Sequence, residues 1–329
     1  MALHFADSVA KRNKNPHRKP KALQLLEYWF VWLIFNIAGL LSDSAARRLG
    51  SWLGTVLYYI AGNRRRIALD NLQHALGKEK TDGELEQIAR ESFKSFVHTS
   101  IEIIRFRRFL RDPEKILETA SDRASIEQLL QRVRHIHDET NGCIFVTPHL
   151  GNWEVLPHAS AYIGVPMVVV ARPLDNPYLE RLVYQDRTAT GQLLIPKRNA
   201  MFMLQKTLHR GKSIGLLADQ ATKKAISVNF FGRKATTTPV PAILATSYKR
   251  PIVVVACCRD ASGKGFLGYM ADPIWPGIYQ SEKAEIYRLT TEMNKAMETI
   301  IRKQPAQYLW IHDRWKTYGN RRELSIRDE

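Results

Sequence analysis

Hydrophobic positions are densest near the start of the chain. Between Leu23 and Leu41 the segment YWFVWLIFNIAGLL (28–41) runs almost without a break, with Gln24, Glu27 and Asn36 as its polar interruptions. Its length is near what a bilayer-spanning helix needs. After a short polar break, WLGTVLYYIAG (52–62) is apolar again, and Arg64-Arg65-Arg66 follows. From 63 to 135 the pattern changes to a charge-rich one with apolar residues three and four apart, as in Leu85, Ile88, Phe93, Phe96, Val97, Ile101 and Ile104. That spacing predicts helices, with breaks at Asp112-Pro113 and Ser121-Asp122.

From residue 142 the texture changes once more. Cys143–Thr147, Pro166–Ala171, Ser213–Ala218, Ser227–Phe231, Pro251–Cys258, Gly265–Ala271 and Tyr308–His312 are short apolar or β-branched runs that predict strands. Helical stretches fall between several of them, at about 153–163, 177–190, 199–210, 239–249 and 283–303. Strands alternating with helices predict an α/β fold: a central mixed sheet flanked by helices, preceded by an N-terminal membrane-associated helical segment. No low-complexity linker or fixed-period repeat divides the chain. The expected organisation is a basic tail with membrane-associated helices over 1–62 and an α/β domain over 63–329. Within that domain, 63–135 is a helical lead-in and 142–318 the core.

Charge sharpens the picture of the N-terminus. The chain carries a formal net charge of +17 over 329 residues, which favours an anionic partner: nucleic acid, an anionic membrane surface or an acidic carrier protein. Lys11, Arg12, Lys14, Arg18, Lys19 and Lys21 stand just before the Trp- and Phe-rich run, the order of a membrane approach. Basic residues lie on both flanks of the apolar stretches, so they assign no orientation. A single span, a helical pair lying in the interface and a buried helix of a soluble bundle all stay open. The three cysteines, Cys143, Cys257 and Cys258, sit in apolar runs, which argues for a reducing compartment and against a disulfide framework. No His/Cys cluster has zinc spacing, so neither a metal nor another cofactor is expected.

The stretch IFVTPHLGNWEVL (144–156) ends a predicted strand in one histidine, a Gly-Asn pair and a glutamate. In a sheet of this kind ligands gather at the carboxyl ends of strands, where His149 falls. On one helix His149 and Glu154 would be separated by about 500° of rotation and would not share a face. If instead His149 closes the strand and Gly151-Asn152 begins a helix, Glu154 lies in its first turn and can reach back to the imidazole. A carboxylate on one ring nitrogen fixes the tautomer and leaves the other as a base. Backbone N–H groups of that turn are candidate donors to an oxyanion. With no serine or cysteine beside them, such a pair suits a substrate hydroxyl as nucleophile. A purely structural His–Glu pair is the competing reading.

Further along, ARPLDNPYLERL (171–182) places Arg172 after a predicted strand, Asp175 at a turn and Arg187 further on. LLADQ (216–220) ends another strand in Asp219-Gln220. NFFGRKATTTPVPA (229–242) offers Thr238-Pro239 as a helix start, and QYLWIHDRWK (307–316) brings Arg314 among aromatic residues. Taken singly these read as caps, core and solvated charge. Together HLGNWE, RPLDNP, LADQ, FFG…TTTP and WIHDRWK, in that order from about residue 25 to 318, resemble the late acyltransferases of lipid A biosynthesis, the lauroyl/myristoyl group. These sit within the glycerolipid and lysophospholipid acyltransferase superfamily and its HxxxxD/E signature. RRRIALDNLQHAL (64–76) belongs to the same resemblance.

The resemblance implies acyl transfer from acyl-acyl carrier protein to a hydroxyl of a lipid A precursor, at the cytoplasmic face of the bacterial inner membrane. It implies His149 as general base with Glu154 as its partner, Arg172 and Arg187 on anionic charge, and Asp219 lining the pocket. Gly151, Asn152, Asp175, Thr238 and Arg314 join them as candidate substrate-binding residues. The expected partners are acyl carrier protein, the lipid A precursor and the anionic membrane, without nucleic acid. Two departures from the family pattern, the stretch ATKKAIS (221–227) and Asp313 in the tail, bear on the acceptor, so another glycolipid or a lysophospholipid is the alternative. From other classes, a basic nucleic-acid-binding protein lacks an RNA, zinc-finger or basic-heptad motif to support it, and a non-catalytic lipid-binding protein would leave the histidine idle.

Overall fold

A computed structural model describes residues 19–105, 115–118, 120–165, 167–171, 175–182, 193–196, 200–223 and 225–316. Four long helices come first: α1 Lys21–Leu40, α2 Asp43–Ile60, α3 Gly62–Leu76 and α4 Asp82–Arg105. Next are the short α5 Lys115–Glu118, then α6 Arg123–Thr140, β1 Ile144–Thr147, α7 Val155–Tyr162, β2 Val168–Ala171 and β3 Leu193–Pro196. The chain continues as α8 Ala200–His209, β4 Ile214–Leu217, β5 Ile226–Phe230, β6 Arg233–Thr237, α9 Val240–Tyr248, β7 Ile252–Arg259, β8 Phe266–Met270 and α10 Glu282–Lys303. A 3₁₀ turn over Pro305–Gln307 leads into the tail.

The main sheet has six strands in the order β3-β2-β4-β1-β7-β8, parallel except for the antiparallel β7–β8 edge. It is the mixed, helix-flanked sheet expected. Parallel strands are covered on both faces and therefore read as continuous apolar runs, which is why IVVVACCR is buried along its whole length. Side chains of β1 alternate between two cores. Ile144 and Val146 pack with Leu72 of α3, Phe93 of α4 and Met293 of α10, whereas Phe145 packs with Val133 of α6 and Val255 of β7.

Two strands escaped the sequence pattern, and one expected strand is not there. LLIP (193–196) is too short to stand out, and RKATT (233–237) looks polar because it pairs only with β5, outside the main sheet. The β5–β6 hairpin turns on Phe231 and Gly232, both at positive φ (49° and 77°), the requirement of a type I′ turn. Tyr308–His312 forms no strand; it makes a single bridge, Leu150 to Tyr308, and then turns. The expected break at Asp112-Pro113 lies outside the described residues. The break at Ser121-Asp122 is an N-cap, with Asp122 accepting from Ser125 N–H at 3.3 Å.

The N-terminal helices dock on α4 by two devices. Ala46, Gly50, Gly54 and Tyr58 recur every fourth residue of α2 and are all buried. A side chain at Gly54 would meet the Lys94 backbone, with a Cβ 2.5 Å from its Cα. The buried Arg105 guanidinium donates to the carbonyls of Ala38 (3.2 Å) and Leu41 (2.6 Å) and pairs with Asp43, so it satisfies the free carbonyl end of α1. Beyond these contacts and the buried Gln24, α1 is largely uncovered. It is the one helix among the described residues long and apolar enough to cross a membrane, and Leu26, Trp29, Phe30, Leu33 and Ile37 are exposed along it.

Gly54→Ala should lower stability by about 1–3 kcal/mol because the contact it violates is backbone. Gly39→Ala, where nothing lies within 4 Å, should instead be neutral or gain up to about 1 kcal/mol of helix propensity. Chemical denaturation of both variants in detergent checks the contrast.

Candidate active site

β1 and β4 are neighbours, paired Ile144 to Ile214 through Thr147 to Leu217. Carrying that register two residues past the strand ends sets His149 opposite Asp219. The carboxylate meets the histidine twice: Oδ2 accepts the His149 backbone N–H at 2.8 Å, and Oδ1 lies 2.6 Å from Nδ1. Asp219 is 2% exposed and the His149 side chain 13%. Burial works against the Asp219 charge, yet the adjacent His149 ring, its two hydrogen bonds and the nearby Arg314 hold its pKa below the ordinary carboxylate range.

An ionised carboxylate only accepts, so the neutral ring carries its proton on Nδ1 and presents the Nε2 lone pair outward. The partner at Nε2 is the exposed Gln220 side-chain amide at 3.3 Å. The Trp153 ring stands edge-on to the imidazole, with centroids 4.9 Å apart. The nitrogen that Glu154 was expected to hold is therefore held by Asp219. Glu154 is instead the N-cap residue of α7, which begins later than the sequence suggested, at Val155. Together with Thr147, Trp153 and Leu217, Glu154 lines a narrow apolar pocket running under α7. That pocket shares Phe145, Leu156, Met167 and Val255 with a second, deeper one that reaches Ile126, Leu129 and Gly268.

The Leu150–Glu154 loop is fixed by neighbours far away in sequence. Gly151 sits at φ +61°, and a Cβ there would come within 2.2 Å of the Cys257 carbonyl oxygen, so only glycine fits. Its N–H donates to Gln307 O (3.0 Å) and that of Asn152 to Cys257 O (2.8 Å). The Glu154 N–H donates to Asn152 Oδ1 at 3.1 Å. These amides, expected as oxyanion donors, are consumed in holding the loop. Beneath it, Arg259 donates to both Glu102 oxygens (2.7 and 2.6 Å) and to Thr99 Oγ1 (2.7 Å). Thr99 in turn donates to Gly151 O (2.7 Å), and Asn152 Nδ2 to Glu102 Oε2 (2.8 Å). Glu102, Thr99 and Arg259 leave no mark in the sequence pattern; a single acid inside an amphipathic helix looks like solvated charge.

The other expected residues part company. Arg172 and Arg187 lie outside the described residues. Asp175 is exposed, and the neighbouring Asn176 has the structural work. Asn176 Oδ1 accepts from Tyr178 and Leu179 N–H, starting a helical segment over 177–182, while its Nδ2 donates to Gln24 O (2.7 Å) and Glu27 (3.1 Å) of α1. Thr238 accepts from Val240 N–H at the start of α9 (3.4 Å). Arg314 is 1% exposed and does not reach the cleft. It donates to Thr236 O (2.7 Å) and Thr237 Oγ1 (2.6 Å) and lies over the Phe230 ring. His312, not expected at the site, is drawn in: its Nε2 accepts the Ala221 N–H at 3.2 Å. Burial raises all three thiols, Cys143 and Cys258 to about 12, which makes them poor nucleophiles.

The sequence matches known proteins over most of its length. The profile of the family described as bacterial lipid A biosynthesis acyltransferase matches residues 15–317. The chain belongs to that family. A lipid A biosynthesis acyltransferase of Haemophilus influenzae is 26% identical to this acyltransferase chain over 97% of it and all of the relative. The lipid A biosynthesis lauroyltransferase of Escherichia coli K12 is 23% identical over 88% of the chain and 92% of its own length. A phosphatidylinositol mannoside acyltransferase of Mycolicibacterium smegmatis is similar over a shorter region, 22% identical across 54% of the chain and 58% of the relative.

Removing the carboxylate at Glu102 leaves Arg259, whose side chain is 9% exposed, without its counter-charge. Glu102→Ala should destabilise the acyltransferase by roughly 2–3 kcal/mol, below the range for a fully buried pair because Glu102 is a quarter exposed. Urea unfolding monitored by tryptophan fluorescence measures it.

Proposed function

We propose that the chain transfers a fatty acyl group from acyl carrier protein to a hydroxyl of a lipid A precursor. The observation that carries this reading is the His149–Asp219 pair, a tautomer-fixed imidazole with Nε2 turned to an exposed amide that a substrate can displace. In the proposed step Nε2 takes the proton from the acceptor hydroxyl as its oxygen attacks the thioester carbonyl. The tetrahedral intermediate collapses with cleavage of the C–S bond, and the imidazolium returns the proton to the departing thiolate. Asp219 orients the ring and stabilises its charged form. Glu154, at the pocket mouth, acts beside them on the reacting groups, and Arg172 and Arg187 act on anionic charge.

The apolar pocket beneath α7 supports the reading because a fatty chain needs a dry space near the base, and Trp153 of its lining stands against the His149 ring. The exposed apolar face of α1 and the net charge of +17 support association with an anionic membrane and an acidic carrier protein. In this proposal the catalytic face lies at the cytoplasmic side of the inner membrane. The phosphatidylinositol mannoside relative makes another glycolipid the alternative acceptor.

Purified protein supplied with acyl carrier protein thioesters and a tetra-acylated lipid A precursor should form the acylated product. His149→Ala and Glu154→Ala should each abolish it while the protein stays folded. Asp219→Asn should lower kcat by roughly 10³–10⁴, the cost of the wrong tautomer. A depressed pKa keeps Asp219 charged above the usual carboxylate range and loses that charge only as pH falls below it. The Asn variant's deficit, read from kcat against pH for both proteins, should therefore show no step from Asp219 ionisation within or above the usual carboxylate range. Undiminished turnover in any of the three would sink the assigned roles.

A Cβ at Gly268 would sit 3.0 Å from both Ile126 and Leu129 at the deep end of the pocket. Gly268→Val should shift the preferred acyl chain toward shorter donors, read by mass spectrometry of product formed from a mixture of chain lengths.

A further inference from the structure

A second, polar cavity opens on the other face of the sheet, where the start of α3 meets the C-terminal tail. Asn63, Arg64, Arg66, Asp70, His312 and Lys316 line it. Its walls are pinned together. Buried Asn71 donates to the carbonyls of Trp310 (2.8 Å) and His312 (2.7 Å), and Arg64 Nη1 reaches Ile311 O at 3.4 Å. The three consecutive arginines divide their work. Arg65 lies over the Tyr58 ring, 5.4 Å from its centroid, while exposed Arg64 and Arg66 face the cavity.

The cavity adjoins the reacting centre through one residue. His312 forms its wall and accepts the Ala221 N–H, and the preceding Gln220 side chain is the group at His149 Nε2. The amide donor leaves His312 Nε2 unprotonated, and burial lowers the pKa of the ring, so it stands there neutral, with its proton on Nδ1. A ligand filling the cavity would lie against His312, one contact from the Gln220–Ala221 segment that meets the base, on the side away from the apolar pocket.

We propose that this cavity holds the phosphorylated sugar headgroup of the acceptor, with Arg66 and Arg64 toward phosphate and Asp70 and Asn63 toward sugar hydroxyls. The proposal rests on the acyl-transfer reading and deepens it. An amphiphilic acceptor must bring its hydroxyl to Nε2 while its polar part occupies polar space, and the pocket under α7 is apolar. Guanidinium groups match phosphate geometry with paired donors. A site for phosphate alone would gain nothing from the Asp70 and Asp313 carboxylates in the same wall, which repel anions but accept from hydroxyls. A mixed set of donors and acceptors is what a phosphosugar offers partners to.

Initial rates with acceptor and acyl donor varied separately test it. Arg66→Ala and Asp70→Asn, both exposed positions, should each raise the KM for acceptor about tenfold, with kcat and the KM for donor within about twofold. Arg66→Lys should recover part of the loss, keeping charge without the paired donors. An unchanged acceptor KM overturns the proposal. So does a rise in the donor KM alone, which would assign the cavity to the carrier protein's phosphorylated arm. Independently of turnover, glucosamine 1-phosphate titrated into His149→Ala protein by calorimetry should bind weakly and lose that binding with Arg66→Ala. Binding indifferent to Arg66 counts against the site. Arg66-dependent binding in a chain that transfers no acyl group supports the headgroup site and sinks only the catalytic reading.

Discussion

The site depends on the register between two parallel strands. Thr147 pairs with Leu217, and two residues beyond each, a histidine and an aspartate come together at the carboxyl end of the sheet. The aspartate binds the histidine backbone as well as its ring, so the imidazole is fixed in position and tautomer by one group. A slip of one residue in either strand would turn one of the two side chains to the opposite face. The pair is therefore as secure as the ladder beneath it, and that ladder is buried on both sides by helices. The pair is a property of the sheet, more than of the loop that carries its motif.

This explains what was legible in the sequence. His149 announced itself because a lone titratable group at the end of an apolar run is out of keeping with a core. Glu154 was assigned to the ring because it is close in sequence, and a linear reading favours local partners. Asp219, seventy positions away, was read only as pocket lining, since parallel pairing is invisible without the strand order. Arg314 misled for the opposite reason. An arginine among tryptophans in a tail looks like an available cation, yet it is buried under Phe230 and holds the Thr236–Thr237 strand end. RPLDNP likewise carried a true signal on a different residue: Asn176 starts a helical segment and ties it to α1. The helical and strand pattern holds elsewhere, apart from LLIP, too short to stand out, RKATT, a polar strand paired outside the main sheet, and Tyr308–His312, an apolar run that bridges once and then turns.

The polar groups behind the loop show why its sequence is so constrained. Gly151 and Asn152 put their N–H groups on Gln307 and Cys257, and their remaining groups on Thr99 and Glu102. Those neighbours sit on three different elements: Thr99 and Glu102 on α4, Cys257 on β7 and Gln307 on the 3₁₀ turn. Buried polar groups left unpaired are costly, so any change in one element is felt at the loop. The same amides cannot also stabilise a developing oxyanion. In the proposed reaction, charge building on the thioester oxygen would have to be met from other groups, the cationic side chains among them.

The absence of a protein nucleophile in this arrangement has a mechanistic consequence. Among the described residues, Nε2 faces the Gln220 amide instead of a serine or cysteine, and the cysteines have pKa values too far raised to act. An acyl-enzyme route would need such a group at the base. Direct attack by a substrate hydroxyl needs only that two ligands meet at Nε2, one with an apolar chain and one with a polar head. The molecule has an apolar pocket on one face of the sheet, lined by the Trp153 ring that stands against the imidazole, and a polar cavity on the other, lined by His312, which accepts from the residue after Gln220. Under the acyl-transfer proposal that layout suits ternary association of donor and acceptor, since each ligand meets a lining of its own polarity.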